Sequence, residues 1–235
     1  MTVDVHDLTK SYGEQFSLRV PHLHVAPGEA VGLVGNNGAG KTTFLRLLLD
    51  LLRADAGHVL LGGERVEKTT AWKRHVGSYL DESFLIDFLR PAEYFTFVGR
   101  TYGLAPADTE AALGAYRTFL PENALTPEAP YIRDLSMGNK KKVGLVAALM
   151  VSPRLLILDE PFANLDPGSQ IRLKNLLRHR RAEAGTTLFI SSHDLGHVTD
   201  VCERVTLLDD GQLVRDTPTS SATLHELQSY FAATG

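Results

Sequence analysis

Apolar and polar positions along the chain fall into segments of different period. Val3–Leu8, Phe16–Val20 and His58–Leu61 are short, rich in β-formers and bounded by turn residues such as Tyr12-Gly13-Glu14 and Ala26-Pro27-Gly28. They predict a small N-terminal antiparallel sheet. Ala30–Val34 instead runs apolar without alternation and ends in glycine, as a parallel strand covered on both faces does. Beyond a glycine-rich turn, Leu45, Leu48, Leu49 and Leu52 recur at helical spacing and predict a helix over Thr42–Leu52. Leu155–Leu158 and Thr187–Ser191 are two further buried strands, with a helical stretch from about Ser169 to Ala184 between them. The segment from about Phe84 to Val151 reads mainly helical, including Ala107–Leu120 and Ser136–Met150. Val205–Leu208 and Gln212–Val214 flank Asp209-Asp210-Gly211, a hairpin with an Asp-Gly turn. The residues after it are too few for a regulatory domain. The expected fold is α/β: one domain over 1–235, a parallel-sheet core with an N-terminal antiparallel β subdomain and an α-helical subdomain inserted at about 84–151.

Composition narrows the function classes. At 235 residues and 43% hydrophobic, the chain fits one sizeable domain with a subdomain. Lys plus Arg number 24 against 28 Asp plus Glu, so the formal charge is −4 and no bulk positive field exists to hold nucleic acid. The single cysteine, Cys202, forms no internal disulfide and no Cys-based zinc cluster, and reads as a buried structural thiol. Val143–Val151, the nearest candidate for a membrane span, falls far short of the roughly 20 apolar residues required. Asp4 and Asp7 stand where a signal peptide needs basic residues. The expected location is the cytoplasm.

The chemistry concentrates after the first buried strand. Gly35-Asn36-Asn37-Gly38-Ala39-Gly40-Lys41-Thr42 fits G-x-x-x-x-G-K-[ST], between a strand and a helix. The glycines let consecutive N–H groups turn toward phosphate oxygens, and the helix N-terminus adds partial positive charge. Lys41 is placed to reach the β and γ phosphates and Thr42 to ligate Mg²⁺; Thr43 reads as a helix-start residue beside them. Asp159 ends the strand Leu155–Leu158, where it would hold Mg²⁺. Glu160 follows it, a carboxylate able to orient or deprotonate the attacking water. Such a pair is built for hydrolysis.

Together these motifs resemble the ATP-binding subunits of ATP-binding cassette (ABC) transporters, across essentially the whole chain, which implies a P-loop NTPase (RecA-like) core with ATP and Mg²⁺ as ligands. Leu135-Ser136-Met137-Gly138-Asn139 is similar to the family signature Leu-Ser-Gly-Gly-Gln, with Met137 and Asn139 as departures. It precedes the helical stretch Lys140–Met150, with Lys140-Lys141-Lys142 expected as a solvated helix start. The resemblance implies that Ser136 and Gly138 close on nucleotide held by a second ATP-binding subunit, in a homodimer or heterodimer. It matches Tyr12 to the residue that stacks on adenine, Asp166 to a contact with the opposite subunit, and His193 to the switch histidine. Where the family usually has a metal- or water-holding glutamine, this chain has Asp81, which as an acid can still bind Mg²⁺. The resemblance further implies transmembrane permease subunits as partners, a peripheral position on the cytoplasmic face of the membrane through them, and no nucleic acid. Asp81–Tyr102, rich in large apolar residues, is expected to dock the permease through side chains such as Phe84 and Leu85. The run Asp81–Leu85 and the short C-terminal segment are reminiscent of exporter-type subunits. A soluble ABC ATPase acting as an ATP-gated assembly factor remains the alternative, and a P-loop kinase or GTPase is disfavoured by Ser136 and Glu160.

Overall fold

The computed structural model describes residues 1–234. The antiparallel part comprises β1 (Val3–Tyr12), β2 (Phe16–Val25), β4 (Ala56–Leu61) and the short β5 (Glu64–Arg65). The parallel part comprises β3 (Ala30–Val34), β6 (Val76–Tyr79), β7 (Leu155–Asp159) and β8 (Thr187–Ser192), with β9 (Arg204–Asp209) on its inner edge. Strand β10 (Gln212–Pro218) returns antiparallel to β9. All ten strands form one mixed sheet in the order β5-β4-β1-β2-β10-β9-β3-β8-β7-β6. The two parts meet between β10 and β2, through the pair Gln212–Arg19 and the bond from Arg19 N to Gly211 O at 2.6 Å.

Two cores flank the sheet, and alternation along the central strands feeds both. On one side Phe189 of β8 packs with Val5, Leu18, Val20, Leu48 and Phe44 of helix α1 (Lys41–Leu48). Phe44 and Phe189 meet edge-on with centroids 5.9 Å apart, a geometry worth about 0.5–1.5 kcal/mol beyond area burial. On the other side Leu188 and Ile190 pack with Tyr116, Phe119, Phe162 and Val146. This second core takes in the helical insert: α2 (Pro91–Thr101), α3 (Pro106–Gly114) and α4 (Met137–Met150) lie between β6 and β7 in sequence. Helices α5 (Pro167–Ala184), α6 (Leu195–Val201) and α7 (Ser221–Thr234) complete the chain.

Several elements differ from the sequence expectation. Helix α1 stops at Leu48 rather than Leu52, because Asp50 turns the chain in a left-handed conformation (φ 53°). Helix α3 ends at Gly114 rather than Leu120, and Tyr116, Phe119 and Leu120 fill the core from a turn. Strand β6 is an additional parallel strand; its Gly77 lies so close to α4 that a Cβ there would stand 2.3 Å from Ala148 O. Of the apolar residues in Asp81–Tyr102, Leu85 and Phe95 belong to the core, with 9% and 0% exposure, while Phe84 is exposed. Among the described residues no helix is long and apolar enough to cross a membrane.

Candidate functional site

Strand β3 delivers Gly35 into the loop and α1 receives the chain at Lys41. Gly35 is required by close approach, since a Cβ would stand 2.3 Å from Leu208 O. Gly40 caps α1 at φ 103°, a region open to glycine. The loop is braced from behind: Ala39 O accepts a hydrogen bond from Gly211 N (3.1 Å) at the β9–β10 turn. Lys41 folds back into it, buried, and its Nζ donates to Gly35 O (2.6 Å) and Asn36 O (3.2 Å).

Opposite the loop, Thr42 Oγ1 donates to Asp159 Oδ2 at 2.6 Å, and Ser191 Oγ donates to Asp159 Oδ1. Ser191 stands directly beside Asp159 in the β7–β8 register and also accepts a bond from Glu160 N at 3.0 Å. Glu160 has φ 44°, a left-handed conformation that costs a non-glycine residue on the order of 1–3 kcal/mol. Hydrogen bonds fix it on both sides: its N–H by Ser191, its carbonyl by Lys141 Nζ at 3.0 Å. The carboxylate is thereby aimed between two cations or potential cations, 3.7 Å from Lys41 Nζ and 2.9 Å from His193 Nδ1.

Gly40, Lys41, Thr42, Asp159 and Glu160 line an open cleft of about 430 Å³ that also takes in Tyr12, Phe16, Asn36, Asn37, Gly38 and Thr43. The Tyr12 ring is half-exposed at its rim, 6.3 Å from that of Phe16, and is free to present a face. The donor set suits a polyphosphate with a hard cation: a buried ammonium hydrogen-bonded to carbonyl oxygens, a helix N-terminus, and a hydroxyl–carboxylate pair of oxygen ligands. At Gly38 (φ 85°) nothing lies within 4 Å of where a Cβ would stand, so the loop leaves room for phosphate oxygens.

Other predicted residues lie elsewhere. Ser136 caps α4, its Oγ accepting from Asn139 N at 3.4 Å, and does not line the cleft. Gly138 packs against the turn after Glu160, where a Cβ would stand 2.8 Å from Asn164 O; Met137 is 53% exposed. Asp166 caps α5 by accepting from Ser169 Oγ (2.6 Å) and Ser169 N (2.9 Å), bonds that hold its pKa down to about 2. Asp81 accepts from Ser83 N at 2.8 Å and stands 3.6 Å from Arg46, lining a separate groove of about 170 Å³ with Leu51, Phe84 and Tyr94.

Two neighbours of the site were not expected. Ser191 reads in sequence as the polar end of a buried strand; that position, beside a strand ending in Asp159, is the signal that finds it. Lys141 was expected to be solvated with its neighbours and is instead 5% exposed, because the Glu160 turn and Glu82 close over it. Burial lowers its pKa, against the opposing pull of Glu82, Glu160 and Asp159.

The ABC transporter family matches residues 18–163, the span from β2 through Glu160 to the turn behind it. The chain belongs to that family. Among similar proteins, the lipopolysaccharide export system ATP-binding protein LptB of Acidithiobacillus ferridurans is 32% identical over 90% of this chain and 88% of its own length. An uncharacterized ABC transporter ATP-binding protein of Synechocystis sp. is 30% identical over 90% of this chain, which spans 61% of that relative. A solved ATP-binding subunit of an ABC transporter superposes with a TM-score of 0.84 at 27% identity, covering 99% of this chain and 94% of that one. The fold is accordingly that of an ABC ATPase cassette, a P-loop NTPase. Within this ABC cassette, Asp81, the exposed Met137 and Asn139 stand where the sequence departs from the family motifs.

Proposed function

We propose that this chain is the ATP-hydrolysing subunit of an exporter-type ABC transporter, driven by ATP-dependent closure of two such subunits. The observation that carries the reading is the junction at Glu160. One carboxylate is held by a strained, doubly anchored peptide between Lys41 and His193, one residue beyond the Thr42–Asp159 pair.

In this reading the loop N–H groups from Gly38 onward and Lys41 bind the β and γ phosphates, while Tyr12 stacks on the adenine. Lys41 exchanges its carbonyl partners for phosphate oxygens. Thr42 and Asp159 would hold Mg²⁺, which when bound neutralises phosphate charge. Asp81 joins that shell only after releasing Ser83 and Arg46. Glu160 accepts the proton of the attacking water, and His193, within hydrogen-bonding distance of that carboxylate, orients it and reaches the γ-phosphate. Ser136 and Gly138, outside their own chain's cleft, complete the partner's cleft, and Asp166 lies at the contact between the two subunits. The exposed Leu51 and Phe84 of the Asp81 groove, together with the exposed Phe88 of the same segment, receive a short helix of a transmembrane permease. The subunit then sits on the cytoplasmic face of the membrane without entering it.

The test is purification of the Glu160→Gln variant with ATP and Mg²⁺ from solubilised membranes. A closed dimer that carries an integral membrane protein supports the reading. A strict monomer at saturating ATP, with Ser136→Arg leaving phosphate release unchanged, overturns it; a complex with soluble partners alone points to an assembly factor.

A further inference from the structure

Lys141 is the one lysine of the run Lys140-Lys141-Lys142 that the fold buries, and beyond anchoring the Glu160 peptide it has no part in the chemistry above. Its Nζ donates to the carbonyl of Glu160 at 3.0 Å. On its other side Glu82 Oε1 is buried without a hydrogen-bond partner and stands 4.0 Å from the same ammonium. The Tyr79 ring lies 5.8 Å below. Glu82 begins the single turn Glu82–Phe84, so it shares a rigid piece of chain with the exposed Phe84. An ammonium has three donors, and this one has an anchored contact on the Glu160 side and a loose ion pair on the Glu82 side.

We infer that Lys141 is a positioning residue that sets the Glu160 peptide and links it to the Glu82–Phe84 turn. Movement of that turn by roughly 1 Å would close the ion pair to hydrogen-bonding distance and draw the ammonium with it. The Glu160 carbonyl, and so the aim of the carboxylate, then follows the state of the groove around Phe84. The inference rests on the reading of Glu160 as the residue that activates water.

The experiment is steady-state ATP hydrolysis by the full chain, with nucleotide affinity measured separately, for Lys141→Met, Lys141→Gln, Glu82→Gln and Glu160→Gln. Lys141→Met removes the shorter bond to the Glu160 carbonyl, leaving only the one from Ala163 N at 3.3 Å, and should lower kcat about tenfold or more, since small misplacements of reacting groups cost that much. ATP affinity should stay within about twofold, because no phosphate contact is lost. Lys141→Gln keeps an N–H for the carbonyl and should recover most of kcat. It should also abolish any effect of Glu82→Gln, because the charge that Glu82 pairs with is gone. Equal losses of kcat and ATP affinity in both Lys141 variants would mark a merely structural lysine and overturn the inference. So would wild-type kcat in Lys141→Met while Glu160→Gln is inactive, which leaves the Glu160 reading standing. Full activity of Glu160→Gln would remove both.

Discussion

Replacing Ser191 with alanine removes one buried hydroxyl that makes two bonds at once. It donates to Asp159 Oδ1 and accepts from Glu160 N at 3.0 Å, and the residue is 0% exposed. The bond to a carboxylate is charge-assisted, of a class worth roughly 1.5–3 kcal/mol, and the orphaned Glu160 N–H adds a desolvation cost of roughly 1–3 kcal/mol. Thr42 still partners the other oxygen of Asp159, and local relaxation recovers part of the loss. The expected net destabilisation is about 2–4 kcal/mol, or roughly 5–10 °C in Tm for a chain of this size. Ser192→Ala is the matched control, because Ser192 Oγ only accepts from Asp194 N at 3.0 Å, a neutral bond worth about 1 kcal/mol. Urea unfolding followed by circular dichroism measures both. Should Ser191→Ala cost no more than Ser192→Ala, the buried bridge between β7, β8 and Glu160 would not stabilise the site, and the account of how Glu160 is held in its left-handed conformation would be wrong.

Other consequences can be checked independently. Phe88→Asp, at a side chain 64% exposed, should leave stability within about 0.5 kcal/mol while abolishing permease co-purification. Leu85→Asp, at a core position, should lower the urea midpoint sharply instead. Asp166 has a folded pKa of about 2 against an ordinary 3.8, so its stabilisation is fully present above about pH 4 and is lost as pH falls toward 2. The gap in urea midpoint between wild type and Ser169→Ala should therefore be wide at pH 6, about halved at pH 3, and closed only as pH falls through about 2. Burial pushes the Cys202 thiol up to about 12, so thiol reagents at pH 8 should label it only at the rate of unfolding. Fast labelling of the native protein would show that the position opens.

The most local parts of the site were the most legible. Gly35–Thr42 and Asp159-Glu160 are contiguous stretches whose chemistry is set by residue type and by the strand before them, and they converge as expected. Ser136 stands at the head of the helical stretch Ser136–Met150 and is the N-cap of α4, which begins at Met137. What was hidden depends on partners distant in sequence. Lys141 reads like its neighbours because nothing nearby says that Glu160 and Glu82 will cover it. Strand β6 is short and interrupted by Gly77-Ser78; its pairing with β7, not its own pattern, makes it a strand. The union of both sheet parts rests on Gln212 meeting Arg19, a contact no periodicity announces. Asp81 was matched by position to a metal-holding residue, and Arg46, in the second turn of α1, competes for its carboxylate.

The tip of the β9–β10 hairpin ties the phosphate loop to the N-terminal strands. Gly211 gives its N–H to Ala39 of the phosphate loop and its carbonyl to Arg19 of β2. A Cβ at that position would stand 2.2 Å from Ser17 O, so the peg cannot be thickened without prising the two apart. Occupancy of the cleft should therefore be felt in the N-terminal strands through a single residue, and slower amide exchange at Gly211 and Arg19 on ATP saturation would record it.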